Sequence, residues 1–295
     1  LAFSSPEAEE AAQRVEALGY DAELTQEIAD DIELLWNEPA IQTVYEQRSR
    51  VFLKESSAYF YDQVQRIAQP DYVPTDDEIL YVSWRTTGLY SRDFEIGNTV
   101  FQIYDTGGQR SERKKWIHVF ESVNAVLFVA AMSNYDEVLF EDHNCNAMQD
   151  QLELFGHIAN LKWFAHSDII LMLNKFDLFE IKCQTVPLSV CFGDEYDQFM
   201  SDEDRREQVS AYDSNAEVDM AVDFVKRKFL ELNKNPSKLI YTHITCAIDS
   251  SNFKRVFDDI SHTIIVSAFK MSRMKSMKTM KSLRGLDLDA NTGMF

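Results

Sequence analysis

The sequence predicts an α/β chain in which helices wrap a parallel sheet on both faces, preceded by an all-helical region. Two observations carry the fold class. In the first third, apolar residues recur only at helical spacing, as at Leu24, Ile28, Ile32 and Leu35. Beyond it, short β-rich runs (99–104, 125–131, 168–173 and 239–245) alternate with helical stretches such as 148–161 and 221–232. That alternation is the pattern of a parallel sheet. A third observation concerns function: polar motifs follow the strands directly, at the carboxyl ends where such sheets bind ligands.

Taken in order, Pro6–Ala12 reads as a helix capped by Ser4-Ser5, with acids in its first turn. The next helical run ends at Trp36, where Asn37-Glu38-Pro39 breaks it. Val44, Phe52, Tyr59, Tyr61, Val64 and Ile67 continue in short helical pieces, and the proline-bearing stretch Gln69–Asp77 reads as a linker. Further on, Glu141-Asp142-His143 reads as a helix-start surface and the acidic stretch Asp194–Asp219 as a solvated insertion. Trp36 and Trp163 read as packing residues.

With 295 residues, 45% of them hydrophobic, the chain is long enough for two domains. Its formal net charge of −20 argues against general nucleic-acid binding, which requires Lys and Arg against phosphates. Four cysteines without a C-x-x-C pair read as reduced thiols rather than a zinc site or disulfide framework. No apolar run is long enough to span a bilayer. The chain opens at Leu1 with no signal-like segment, and the expectation is a partial sequence.

Four motifs carry chemistry. Asp105-Thr106-Gly107-Gly108-Gln109 follows a strand: the carboxylate suits Mg²⁺, the glycines let backbone N–H groups approach a terminal phosphate, and the glutamine can orient an attacking water. Asn174-Lys175-Phe176-Asp177 follows the next apolar strand but one. Its one carboxylate, Asp177, can accept two hydrogen bonds from guanine, a donor pair that adenine lacks. Thr245-Cys246-Ala247 follows the last strand, where a small residue lets a backbone N–H reach the base carbonyl. In Arg85-Thr86-Thr87-Gly88 a threonine hydroxyl can ligate Mg²⁺ only while the terminal phosphate is present, the differential interaction a switch needs.

At this point the chain resembles the alpha subunits of heterotrimeric G proteins. The stretch Asp105–Trp116 is similar to that family's second switch, and Asp31–Trp36, Arg66–Pro70, Asn174–Phe179 and Thr245–Ala247 are similar to other family segments. The resemblance implies a Ras-like P-loop NTPase fold with an inserted all-α domain: residues 1–77 helical, 78–268 Ras-like, and 269–295 a basic, Met-rich extension. It implies a GTP-hydrolysing switch that binds GTP or GDP with Mg²⁺. Nucleotide contacts would come from Leu80, Tyr81, Val82, Ser83, Trp84, Arg85, Thr86, Asp105, Thr106, Gly107, Gly108, Gln109, Asn174, Lys175, Phe176, Asp177 and Ala247. Thr86, and Asp105 through water, would hold the metal; Gln109 would position water; Arg113 would pair with Asp150. Arg110, Lys115 and Trp116 would belong to the surface that docks on a beta-gamma dimer. A receptor, an effector enzyme and peripheral attachment to the cytoplasmic face of the plasma membrane complete the implied setting.

Three departures stand against the family pattern. No G-x-x-x-x-G-K-[ST] occurs in these residues, so the first strand and phosphate loop are expected to be missing and nucleotide binding poor. The family's catalytic arginine falls at Ser83, so hydrolysis is expected to be slow unless Arg85, two residues on, substitutes. Between 270 and 284 lie six basic residues and no acid, with Met271, Met274, Met277, Met280 and Leu283 spaced by three. That pattern reads as a helix for anionic membrane or a partner groove, or as a solvated tail. The alternative to a GTPase is a nucleotide-weak interaction protein that keeps the alpha-subunit surface.

Overall fold

A computed structural model describes residues 2–19, 21–48, 53–82, 85–120, 123–165, 167–201, 216–266 and 268–269. The chain divides into two compact units, Leu1–Arg85 and Thr86–Phe295. Ser83 and Trp84 and the basic segment 270–284 lie outside the described residues.

The first unit is helical. Its helices are Pro6–Glu16, Gln26–Trp36, Pro39–Glu46, Ser57–Asp62, Val64–Ile67 and Asp76–Tyr81. The first starts as the sequence indicates, with the Ser5 hydroxyl accepting from the Ala8 N–H at 3.2 Å and Pro6 in the first turn. Ala8, Ala11 and Ala29 are fully buried, small side chains where the first two helices meet. Arg14 spans the same pair, its Nε and Nη2 donating to the two Asp31 oxygens at 2.8 and 2.6 Å. Trp36 does pack, its ring centroid 5.0 Å from those of Tyr45 and Tyr61. The supposed linker Gln69–Asp77 ends differently from expectation. Thr75 and Glu78 form a capping box, Glu78 is buried against Arg66, and Asp76 and Asp77 are the first turn of a helix. The helical unit therefore runs on past Asp77.

The second unit holds seven strands among the described residues: β1 Leu89–Ile96, β2 Thr99–Thr106, β3 Ala125–Ala131, β4 Val138–Leu139, β5 Asp142–Asn146, β6 Asp168–Asn174 and β7 Ile240–Ile244. β3, β6 and β7 form a parallel sheet in the order β3-β6-β7, while β1-β2 and β4-β5 are separate antiparallel ribbons. β6 is central and buried on both faces, which is why its sequence is a continuous apolar run. Ile169, Leu171 and Leu173 join the larger core with helices Ala147–Ala159 and Ala216–Leu230; Ile170 and Met172 face Val256 and Ile260 of the helix over 250–266. Phe155, fully buried, meets Phe128 and Phe229 edge-on at 5.1 and 5.4 Å.

Five points depart from the sequence pattern. β1 was not anticipated as a strand, because its residues are almost all exposed and charges interrupt it. Glu141-Asp142-His143 does not start a helix: Asp142–Asn146 is a strand, and Asn146 caps the helix that follows, accepting from Met148 and Gln149 N–H at 2.9 and 3.1 Å. The acidic stretch begins as a core element, since helix Asp194–Met200 buries Tyr196 against Phe224. Trp163 is 41% exposed, with the Lys162 ammonium over its ring at 5.6 Å. Finally, β2 does not pair with β3, and Leu127 and Val129 on β3 stand 45% and 55% exposed.

Candidate functional site

The loops after β6 and β7 are tied together by one side chain. Asn174 Oδ1 accepts from Thr245 Oγ1 and from the Ala247 N–H, both at 3.0 Å. The backbone adds Phe176 N–H to the Thr245 carbonyl at 3.2 Å and Thr245 N–H to the Leu173 carbonyl at 2.9 Å. Lys175 takes the left-handed conformation at φ 61°, which turns the chain sharply into helix Phe176–Cys183. Burial raises the Cys246 thiol, and the Asp177 carboxylate raises it further. Asn174, Lys175, Asp177 and Ala247 are therefore brought together at the tips of two adjacent parallel strands. One expectation changes: the Ala247 N–H is engaged by Asn174 rather than left for a base carbonyl.

A second cluster follows β2. Asp105 is exposed, Thr106 half-buried, and Asp105 lies opposite Tyr90 in the hairpin register. The two glycines serve different ends. A Cβ on Gly107 would lie 2.6 Å from the Thr86 carbonyl oxygen and 2.8 Å from Glu112 Cγ, so only glycine allows this approach. The Gly107 N–H donates to the Gly88 carbonyl at 3.3 Å and so is not aimed at a ligand, contrary to the expectation for both glycines. At Gly108 a Cβ would meet nothing within 4 Å, and its carbonyl accepts from Arg113 Nε at 3.1 Å. Gln109 Oε1 is buried with no hydrogen-bond partner in the folded chain. An orphaned acceptor of that kind calls for a donor such as water. Thr86, half-buried, borders this loop.

Helix Arg110–Arg113 docks on Asp150 of helix Ala147–Ala159. Arg113 Nη2 reaches Asp150 Oδ2 at 2.5 Å; Arg110 Nη2 and Nε reach Oδ1 at 2.9 and 3.0 Å. Arg110 also meets Asp142 at 3.2 Å. Sequence reasoning paired Asp150 with Arg113 alone; the second arginine gave no signal of its own. Burial raises the Asp150 carboxyl, but the bonds from Arg113 and Arg110 outweigh it and hold it below the ordinary carboxylate range. The stability so contributed is present above the unfolded value of about 3.9 and is lost as pH falls through the depressed folded value. Asp150→Ala is expected to cost about 1–2 kcal/mol in urea titration at neutral pH, discounted because both guanidinium groups keep solvent contact. That difference should vanish in acid. Trp116 Nε1 donates to the Gly107 carbonyl at 2.9 Å, and Lys115 meets Glu112 at 2.5 Å.

Of the remaining expected contacts, Leu80 and Val82 are 52% and 53% exposed and Tyr81 stacks on Tyr59 at 4.3 Å, all within the helical unit. Arg85 is exposed at that unit's end.

Loops stitched at the tips of a parallel sheet and a glycine-bearing loop after a hairpin strand belong to a Ras-like α/β domain, and a helical unit precedes it. The family model of the G-protein alpha subunit matches residues 3–264, and the chain belongs to that family. It is similar to the guanine nucleotide-binding protein alpha-1 subunit of Mycosarcoma maydis, 39% identical over 82% of this chain and 64% of the relative. The alpha-17 subunit of Caenorhabditis elegans is 40% identical over 88% of this chain and 69% of its own length. The G-protein complex alpha subunit gpaA of Aspergillus fumigatus is 39% identical over 82% of this chain and 64% of the relative. The chain thus spans roughly two thirds of the length of these relatives.

Proposed function

We propose that this chain supplies the base-reading, metal-binding and switch parts of a guanine-nucleotide signalling subunit. The observation that supports the reading is the Asn174 stitch, which ties the loop bearing Lys175 and Asp177 to the loop after β7. Asp177 accepts from the guanine N–H and amine, and the Lys175 stem covers a face of the base. Gly108 offers its N–H to the terminal phosphate from a position open to solvent. The orphaned Gln109 Oε1 orients the attacking water. Thr86 and Asp105 fit magnesium, a hydroxyl and an exposed carboxylate flanking the same loop, and the ion when bound neutralises phosphate charge.

The surface from Arg110 to Trp116, ordered on Asp150, is the segment that docks on a beta-gamma dimer in the GDP state. A receptor and an effector enzyme are its further partners, at the cytoplasmic face of the plasma membrane. A second reading, an interaction protein that binds nucleotide weakly, draws on Ser83 and on the lack of a G-x-x-x-x-G-K-[ST] motif within these residues.

The test is competition binding. The chain is extended at its start by the corresponding segment of the C. elegans relative, and GTP and ATP compete for a fluorescent guanine nucleotide. A guanine preference is expected, reduced about 10–100-fold by Asp177→Ala, the range for hydrogen bonds to a charged acceptor. Equal affinity for the two nucleotides would end the GTPase reading and leave the interaction protein.

A further inference from the structure

Glu112 is a buried acid with a place in the switch region that the proposed function does not use. It sits in helix Arg110–Arg113, between arginines and lysines, yet is only 8% exposed. Its Oε2 accepts from the Gly88 N–H at 2.7 Å and meets the Lys115 ammonium at 2.5 Å. Around it the two loops touch elsewhere: Gly107 N–H donates to the Gly88 carbonyl at 3.3 Å, and Gly107 lies against both the Thr86 carbonyl and Glu112 Cγ. Gly88 itself takes φ 93°, a conformation open to glycine, which turns its N–H toward the carboxylate.

We infer that Glu112 is a positioning residue that couples the two switch segments, holding Thr86–Gly88 in register with Gly107–Gln109. A charge-assisted bond from a buried carboxylate to one backbone amide is a strong local constraint, and loss of either loop's order removes the other's partner. Lys115 holds the carboxylate from its other side. The effect is on regulation: a ligand that orders Gly108 also orders the Thr86 hydroxyl, so the segments change state together. This consequence rests on the proposed nucleotide switch, but the latch itself exists in the chain alone and is testable there.

Hydrogen exchange on the 295-residue chain without nucleotide decides it. Glu112→Ala should speed exchange of the Gly88 amide at least about tenfold while the β6 amides Ile169–Leu173 keep their protection. Glu112→Gln should restore most of that protection, because its carbonyl still accepts the amide; general loosening of the helix would give no such rescue. If Glu112→Ala fails to fold, shown by exchange throughout β6, the test passes to Lys115→Met. That variant should free Gly88 at least about threefold, with β6 intact. Unchanged Gly88 exchange in the folded Glu112→Ala chain, or in Lys115→Met where that chain does not fold, overturns the latch. Neither outcome touches the guanine preference, which is measured separately.

Discussion

In a chain extended by a relative's phosphate-loop segment, Ser83→Arg is expected to accelerate single-turnover GTP hydrolysis by ~10³-fold or more, the general range for an arginine supplied to this reaction in GTPases of this kind. The reasoning is electrostatic. As the terminal phosphoryl group transfers, negative charge spreads over oxygens that a fixed guanidinium can stabilise, whereas a serine hydroxyl offers one neutral donor. If Gln109 orients the water as proposed, the acceleration would add to that contribution. Arg85 is the natural substitute: it is two residues on and exposed. In an extended segment it shares a side with position 83. Arg85→Ala should therefore slow hydrolysis in the Ser83 background and have little effect once arginine stands at 83. A rate that does not move in Ser83→Arg would mean that Ser83 is no lesion.

How much of this was legible in the sequence depends on where each residue's partners lie. β6 was plain because both of its faces are buried, so its apolar run is continuous and its end, the N-K-x-D motif, is fixed by it. Asn174 was readable as part of that motif, though its bond to the Ala247 amide was not, since the partner lies 73 residues away. β1 was missed for the opposite reason: a two-stranded ribbon buries almost nothing there, and the pattern of burial that marks strands is missing. Glu112 and Lys182 illustrate a third case. Glu112 stands among arginines and lysines and Lys182 near Glu180. Nothing in the sequence marks either charge as taken into the protein, and only tertiary structure shows that each is.

Lys182→Met is the change expected to cost most in stability, about 3–5 kcal/mol, the range for removing one partner of a buried ion pair. Lys182, with a side chain 15% exposed, donates to the Ser133 carbonyl at 2.7 Å, Asp136 Oδ1 at 2.7 Å and Glu137 Oε1 at 2.8 Å. These residues lie in the turn that follows β3, so the lysine anchors that turn to helix Phe176–Cys183. Methionine matches the stem's volume but leaves two carboxylates without their cation and a carbonyl without its donor. Adding Asp136→Asn and Glu137→Gln should recover part of the loss, because neutral partners no longer repel one another. The pH dependence is opposite to that of Asp150. Burial lowers the Lys182 ammonium, but the bonds from Asp136 and Glu137 outweigh it and hold it above the usual lysine range. Its stabilisation is thus complete below the unfolded value of about 10.4 and is lost as pH rises through the higher folded value. Urea midpoints of wild type and Lys182→Met should differ widely at neutral pH and converge in strong alkali, where the lysine loses its charge. A gap that persists unchanged in strong alkali would assign the stability to something other than the charge of the lysine.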